Sequence, residues 1–565
     1  MQGKLDILRC MDYSVQNDSK DLSILQRLLA IRGITTQQES FLNPTYKEFW
    51  QDFSSLSDIN AWASRIAAAI TNWEKIMVFG DYDVDGISAS YIMYTILRKY
   101  LWHHTISVRL PHRMHDGYGI KSYHIDQIKE DWCSLIITVD NWISAVEEAK
   151  HAQEIWIDLV ITDHHQALDT LPEAVAVINP QISDSMGFKE LCGATVALKI
   201  CLAVADKLNA SPATKKAILQ ESLPYVTIAT IADCMPLLNE NRLLVKKGFE
   251  QINSHPHTLS IGFKTLLDTL GIRSIDSYDV SFKIAPMLNA TGRVDDALEW
   301  LKSFLFTDPQ KVRDQIAYMD SLNTERKIMQ QQMVARSMEM LTWEEHICIV
   351  ADDDFHEGIW WIVAWRIAER TKKPSWVLCI KRNEWLVTWS FRGPEGFDVV
   401  AMLKSCEDIL ERFGGHAQAW WVTLLLDKYD EFVMRCEQYW KEFGVIWTWT
   451  DAQLVDTYIY DNERNQDSLQ EIAQLWPFGE GNPEPMLCVE WATVTSIESF
   501  GSWEKKHLKA QIKKWSDTIW AIRRWKWELV DNYLPWSSVL LFWSIKKDTY
   551  RWGIYFWIRQ MVPVV

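Results

Sequence analysis

From about residue 74 to residue 240 the chain alternates short apolar runs with helical stretches. The runs IMVFGD, SVRLPHR, LIITVD, LVITDHH and AVAVINP each end in polar or acidic residues, and stretches such as ISASYIMYTILRKY and ISAVEEAKHAQEI lie between them. Short β runs separated by helices predict a mainly parallel sheet covered by helices. Residues 225–300 read as mostly helical. Residues 309–342 are highly polar, with helical spacing and no glycine, which predicts a long connecting helix. β and α signals mix again over 343–450, in HICIVA, WVLCIK and VVAMLKSCEDILERF. After 451 the pattern is mostly β: MLCVEWATVTSI, HLKAQIKK, TIWAIRR, SVLLFWSI and YRWGIYFWI. The expected fold class is α/β: a parallel-sheet domain (1–305, with an N-terminal extension), a connecting helix (306–342), a smaller α/β domain (343–450) and a C-terminal OB-like β-barrel (451–565). No repeat of 20–50 residues is visible.

The strongest chemical signal is Asp81-Tyr-Asp83-Val-Asp85-Gly86, directly after the apolar run Ile76–Phe79. On an extended chain, acids at i, i+2 and i+4 project to one side. Their mutual repulsion calls for a hard cation between them. An EF-hand also reads D-x-D-x-D-G, but its twelfth position would be Ile92 rather than Glu, and a strand rather than a helix precedes it. A solvated acidic turn is the blander reading, and it is common for a single acidic pair. The theme recurs, however. Ile136–Val139 runs into Asp140-Asn141, Leu159–Thr162 runs into Asp163-His164-His165, and Asp233 follows the apolar stretch Val226–Ile231. Sites in open parallel sheets form beyond the carboxyl ends of the strands, so these distant groups are expected to share one cleft. Carboxylates with an imidazole suit Mn2+ or Mg2+, and no thiolate joins them.

GDYDVDG, TVDN, TDHH and IADCMPLLNENRLLVKKG resemble the four motifs of the DHH phosphoesterase superfamily. PHRMHDGYG, LCGAT and PMLNATGRVDDA extend the resemblance in the first domain. FHEGIWWIVAWRIAER, TWSFRGPEGFD and RFGGHAQAWWVTL are similar to the DHH-associated second domain, and LWPFGEGNPEP to the opening of the third. Over nearly its full length the chain resembles the RecJ family of single-strand-specific 5′→3′ DNA exonucleases. The resemblance implies that Asp83, Asp85, Asp140, His164 and Asp233 ligate two divalent metal ions, Mn2+ or Mg2+, with Asp140 bridging. Asp81 would support them and His165 would touch the scissile phosphate. A histidine that some members carry four residues before the second acid of the first motif is Phe79 here. Arg113, Asn289 and Arg293 would hold phosphates. In the second domain Ser390, Arg392 and the Gly414-Gly415-His416 turn would bind the strand end. The implied reaction is two-metal hydrolysis of a phosphodiester by water, to 5′-mononucleotides, in recombination and repair. The implied partners are single-stranded DNA, a helicase and a single-strand-binding protein, around a monomer. Two other functions compete. A phosphodiesterase of this superfamily acting on short oligonucleotides or cyclic dinucleotides would not need residues 451–565. A non-catalytic DNA-binding scaffold would not need the acids and His164, all of which are present.

A net charge of −17 does not advertise general nucleic-acid binding, which is mostly electrostatic, but a local basic channel is compatible with it. Ten cysteines without a C-x-x-C pair argue against zinc ribbons and a disulfide framework. MQGKLDILRC lacks the apolar segment of a signal peptide, and no apolar run reaches 18 residues, so a cytoplasmic protein with no membrane contact is expected.

One count fits none of this. The chain has 31 tryptophans, several times the usual share, and only 22 glycines where about 40 would be average. KKWSDTIWAIRRWKWE has the look of a base-stacking platform. Yet tryptophan stands where the family has glycine or a small residue: Trp142, Trp361, Trp365, Trp389, Trp421 and Trp476. Glycine serves where φ is positive or backbones approach closely, and tryptophan is the worst substitute there. The expectation is that UGA codons meant as glycine have been read as tryptophan.

Overall fold

The computed structural model describes residues 13–563 except 114, 117–118, 142, 144, 167–169, 342–346, 372, 393–398, 417–418, 444–452, 464–465, 501–506, 515–516, 525–537 and 549–552. Each of the five apolar runs between 74 and 180 is a strand. They are β1 (Ile76–Phe79), β2 (Ile106–Arg109), β3 (Leu135–Thr138), β4 (Asp158–Thr162) and β5 (Ala176–Ile178). They pair in parallel in the order β2-β1-β3-β4-β5. β1, β3 and β5 are buried at every position, which is why they read as unbroken apolar runs rather than alternating ones. β2 is buried only at Ile106, as befits an edge.

The chain leaves β1 for β2 on one side, then crosses to β3 on the other. The carboxyl ends of β1 and β3 therefore flank a topological switch point. Four helices matter for what is built there: α1 (Val84–Thr95), α2 (Gly193–Lys207), α3 (Pro212–Ala232) and α4 (Ala285–Val294). α2 is buried along nearly its whole length, so its N-terminus reaches the sheet edge from inside the core. The polar segment after residue 306 forms one 32-residue helix, α5 (Pro309–Met340), capped at its start by Asp308.

Beyond α5 a second sheet runs in the order 412–416, 419–425, 386–392, 375–381, 348–352, antiparallel except for its last pair. The final segment gives the five long strands expected, Leu487–Phe500, His507–Lys514, Asp517–Arg524, Ser538–Asp548 and Gly553–Pro563. Leu487–Phe500 pairs with both His507–Lys514 and Ser538–Asp548.

The N-terminal elements pack onto this last sheet. Tyr13–Val15 pairs in parallel with Gln453–Val455. Ile24, Leu28, Leu29, Phe41 and Leu42 share one core with Ile459, Leu475, Val489 and Leu541. Arg27, fully buried, holds Glu463 at 2.7 and 2.9 Å and also donates to Thr457 Oγ1.

Candidate metal centre

The first motif does not lie along one extended strand as the spacing suggested. β1 ends at Phe79, and the chain turns at once into α1. Asp81 sits in the turn, Asp83 is the N-cap of α1 and Asp85 lies in its first turn. Asp83 Oδ1 accepts from the backbone N–H groups of Asp85 and Gly86 at 2.9 and 3.0 Å. Gly86 is there because Asp81 packs on it: a Cβ at 86 would stand 2.6 Å from the Asp81 Cβ.

Asp140 follows β3 in a left-handed conformation, φ +54°. Such a backbone at an acidic residue is held by its neighbours. Asn141, fully buried, supplies the hold by donating from Nδ2 to Gly80 O at 3.1 Å and accepting from Ile120 N. His164 and His165 follow β4. Asp233 is the C-cap of α3, so it arrives from a helix rather than from a fourth strand end.

These groups converge. His164 Nε2 lies 3.1 Å from Asp140 Oδ1 and 3.5 Å from both Asp85 Oδ2 and Asp233 Oδ2. Three overlapping sets hold their ligand atoms within 4.8 Å of one another: Asp140, Asp163, His164 and His165; Asp85, His164 and Asp233; and Asp81, Asp83 and Asp140. Asp81 Oδ1, Asp140 Oδ1, His164 Nε2 and Asp233 Oδ2 are buried with no hydrogen-bond partner. Orphaned buried polar atoms are costly. Four of them aimed at one another, three carboxylate oxygens and an imidazole nitrogen, fit hard divalent cations.

The electrostatics agree. Burial, then the charges of Asp85 and Asp83, pushes the Asp140 carboxyl well above the ordinary range. Asp233 is raised by burial and by the same two neighbours, and Asp81 by burial and by Asp83. Asp85 is raised by burial and Asp83, although the backbone N–H groups of Ala194 and Gly193 pull it down. Both donate to it, at 2.8 and 2.6 Å, so the N-terminus of α2 orients this carboxylate. Burial and the neighbouring His165 lower His164 to about 4, which keeps its imidazole neutral. Burial also opposes charge on His165, but its hydrogen bond with Asp163 and that carboxylate's charge win and raise it to about 9.

Asp163 has a role that residue spacing did not disclose. Its Oδ1 accepts from His164 N, His165 N and His165 Nδ1, and its Oδ2 accepts from Ile143 N. It positions both histidines rather than lying between them as one more acid. Gly193, inside LCGAT, was likewise visible only as part of a motif. Phe79 is fully buried, 5.1 Å from the His124 ring between centroids.

Arg293, on α4, is buried and forms no ion pair with a carboxylate among the described residues. It donates to Gly358 O at 3.4 Å and lies 4.4 Å from the Trp361 ring. Burial, then Arg113 and Arg326, lowers its pKa well below the ordinary value. Arg113 stacks over Tyr82 at 5.1 Å, and Asn289 lies one turn before Arg293. Arg326, on α5, is buried with its Nε unpartnered, and the motifs did not single it out. In the second sheet the register sets Ser390 opposite Trp421 and Trp421 opposite Gly414, with Arg392, Ala419 and His416 forming the next row. Gly415 pairs with Trp420. The side chains of Ser390, Arg392 and His416 lie outside the described residues.

A family model described as the DHH family N-terminal domain matches residues 75–230, and one for the RecJ OB domain matches 455–552. The single-stranded-DNA-specific exonuclease RecJ of Escherichia coli is 30% identical over 497 residues, covering 82% of each chain. That of Bacillus subtilis is 32% identical over 524 residues, which is 91% of this chain but 64% of the relative's length. The RecJ of Thermus thermophilus in complex with Mn2+ shares the fold, with a TM-score of 0.80 over 98% of this chain and 79% of that one, at 22% identity. An exonuclease RecJ structure bound to manganese matches 69% of this chain and 96% of its own, with TM-score 0.61 and 27% identity. Among the described residues no helix is long and apolar enough to cross a membrane. The chain belongs to the RecJ family of single-stranded-DNA-specific exonucleases.

Proposed function

We propose that this chain is a divalent-metal-dependent exonuclease that degrades single-stranded DNA from its 5′ end to 5′-mononucleotides. The observation that carries the reading is the convergence of four orphaned buried ligand atoms beyond the ends of β1, β3 and β4. Asp83, Asp85, Asp140, His164 and Asp233 would hold two ions, Mn2+ or Mg2+, and Asp81 would complete the acidic wall. Ions bound there supply Lewis acidity to the phosphate and bring water's pKa toward neutrality.

The remaining work falls to side chains. His165, held through Nδ1 on Asp163 and raised to about 9, would meet a phosphate oxygen in its protonated form. Arg113, Asn289, Arg293 and Arg326 offer donors to successive phosphates; among the described residues the guanidiniums form no ion pair with a carboxylate that would compete with DNA. Ser390, Arg392 and the 414–416 strand would meet the strand end, and the sheet from 487 onward would add backbone contacts. In this reading 1–305, 306–342, 343–450 and 451–565 act as catalytic domain, connecting helix, substrate-binding domain and nucleic-acid-binding domain. The enzyme works as a cytoplasmic monomer beside a helicase and a single-strand-binding protein.

The match of 455–552 to an OB domain disfavours a phosphodiesterase of cyclic dinucleotides, and the intact ligand set disfavours a non-catalytic scaffold. The test is digestion of end-labelled single strands and duplexes with Mn2+ or Mg2+. Mononucleotides released from the 5′ end of single strands alone are expected. Equal digestion of duplex, or activity unchanged by Asp140→Ala, would overturn the reading.

A further inference from the structure

Among the described residues eleven that are not glycine have a left-handed φ, and five of them are tryptophan: Trp73 (φ +57°), Trp102 (+59°), Trp132 (+61°), Trp156 (+60°) and Trp385 (+54°). Positive φ is tolerated by glycine and by small polar residues; for a bulky side chain it is an outlier. Five outliers of one residue type are not scattered strain.

They occupy one kind of place. Trp73, Trp132 and Trp156 each come two residues past a helix and close it with the same pair of hydrogen bonds. Trp73 N donates to Ile70 O and Glu74 N to Ala69 O; Trp132 N to Lys129 O and Cys133 N to Ile128 O; Trp156 N to Gln153 O and Ile157 N to Ala152 O. Trp102 is followed by the corresponding bond from His103 N to Leu97 O. Elsewhere the same closure falls on Asn209, on Cys234 and twice on glycine. Gly33 N donates to Ala30 O and Ile34 N to Leu29 O, and Gly271 N to Asp268 O and Ile272 N to Leu267 O. At both glycines φ is positive and an added Cβ would meet nothing, so φ alone sets the requirement. This is the residue position after a helix at which glycine dominates. Trp385 ends a short helical turn, Arg382–Glu384, in the same left-handed state.

The indoles gain little burial in return, although the Trp73 ring lies 6.3 Å from that of His103 between centroids. They are 61, 71, 88, 87 and 64% exposed in chain order, whereas Trp62, Trp300 and Trp376 are fully buried. Nor do they form a stacking surface for the substrate. Trp73, Trp102, Trp132 and Trp156 directly precede β1, β2, β3 and β4. They therefore line the amino-terminal edge of the parallel sheet, while the acidic cluster lies beyond its carboxyl edge.

The motif comparison had pointed to other positions. Trp142 lies outside the described residues, and Trp361, Trp365, Trp389, Trp421 and Trp476 do not have a left-handed φ. Trp361 and Trp365 are in a helix, Trp389 and Trp421 in strands, and Trp476 packs on Phe249 with centroids 4.8 Å apart. The left-handed set is thus independent of the motifs and rests on backbone geometry alone.

We infer that residues 73, 102, 132, 156 and 385 are glycine in the protein its cell makes, their codons being UGA, a triplet that one variant genetic code assigns to tryptophan and another to glycine. Twenty-two glycines and 31 tryptophans are then one anomaly counted twice. The first test is the gene together with peptide mass spectra of protein purified from its own cells. UGA at these five codons and glycine in the peptides are expected; UGG or tryptophan there would overturn the inference. A second test uses the full chain as written. Trp132→Gly and Trp156→Gly should each raise Tm by a few degrees, and Trp132→Ala and Trp156→Ala by clearly less, because alanine still pays for the left-handed backbone. Equal effects of glycine and alanine, or a fall in Tm with glycine, would count against it.

Discussion

Gly193 and Asp140 touch so closely that no side chain fits between them: a Cβ at 193 would stand 2.6 Å from Asp140 Cβ and 2.9 Å from its Cγ. The same glycine donates its N–H to Asp85. One residue without a side chain therefore sets the distance between two carboxylates from opposite sides of the switch point. Gly193→Ala is expected to displace Asp140 and to lower kcat by about a hundredfold or more, since small misplacements of catalytic groups cost that much. KM for the single strand should change little. A kinetic comparison at saturating metal checks the split.

Cations should act as structural ligands as well as reactants. Adding Mn2+ to chelator-treated protein at about a hundredfold excess over Kd should stabilise it by roughly 2.7 kcal/mol, read as a rise in Tm. Asp140→Asn should abolish this rise. It should also raise the Tm of the ion-free protein, because it removes a buried acid that burial and four neighbouring carboxylates disfavour. A variant that keeps the full metal-induced rise would show that Asp140 is not a ligand.

Arg293 is a buried cation that forms no ion pair with a carboxylate among the described residues, so its removal should spare the fold and harm the substrate. Arg293→Met is expected to leave Tm within a degree or so and to lower kcat/KM by roughly ten- to a hundredfold, the worth of a charge-assisted phosphate contact. Melting curves and steady-state kinetics on one preparation separate the two effects.

The contrast is Arg27, buried against Glu463. Arg27→Met leaves a largely buried carboxylate unpaired and should cost about 3–5 kcal/mol. The loss should appear as early protease cleavage within 453–563, although the substitution lies more than 400 residues away in the chain.

The parallel sheet was legible because its strands are buried on both faces, so apolar runs such as Ile76–Phe79 and Leu135–Thr138 stand out unbroken. The site was legible for the same reason: polar residues at the ends of such runs are conspicuous. What spacing could not show was direction. Asp81, Asp83 and Asp85 read as neighbours on an extended chain, whereas the turn into α1 aims each differently. Asp233 reads as one more acid after an apolar stretch, and that stretch is the buried part of α3. The part Asp163 plays was not legible, because residue type alone does not disclose an acid that orients a histidine. The N-terminal segment carried no local sign that its partner was the far end of the chain.

That last pairing has a consequence for how the molecule is made. Helix Ile24–Ile31 leaves the ribosome well before the residues beyond 458 that share a core with Ile24, Leu28 and Leu29. At about 5–20 residues per second, those partners emerge roughly 20–90 s later. For that interval the nascent chain displays an apolar helix that only nearby residues such as Phe41 and Leu42 can partly cover, and a chaperone that recognises such a surface would find it there while the parallel sheet behind it is already folding.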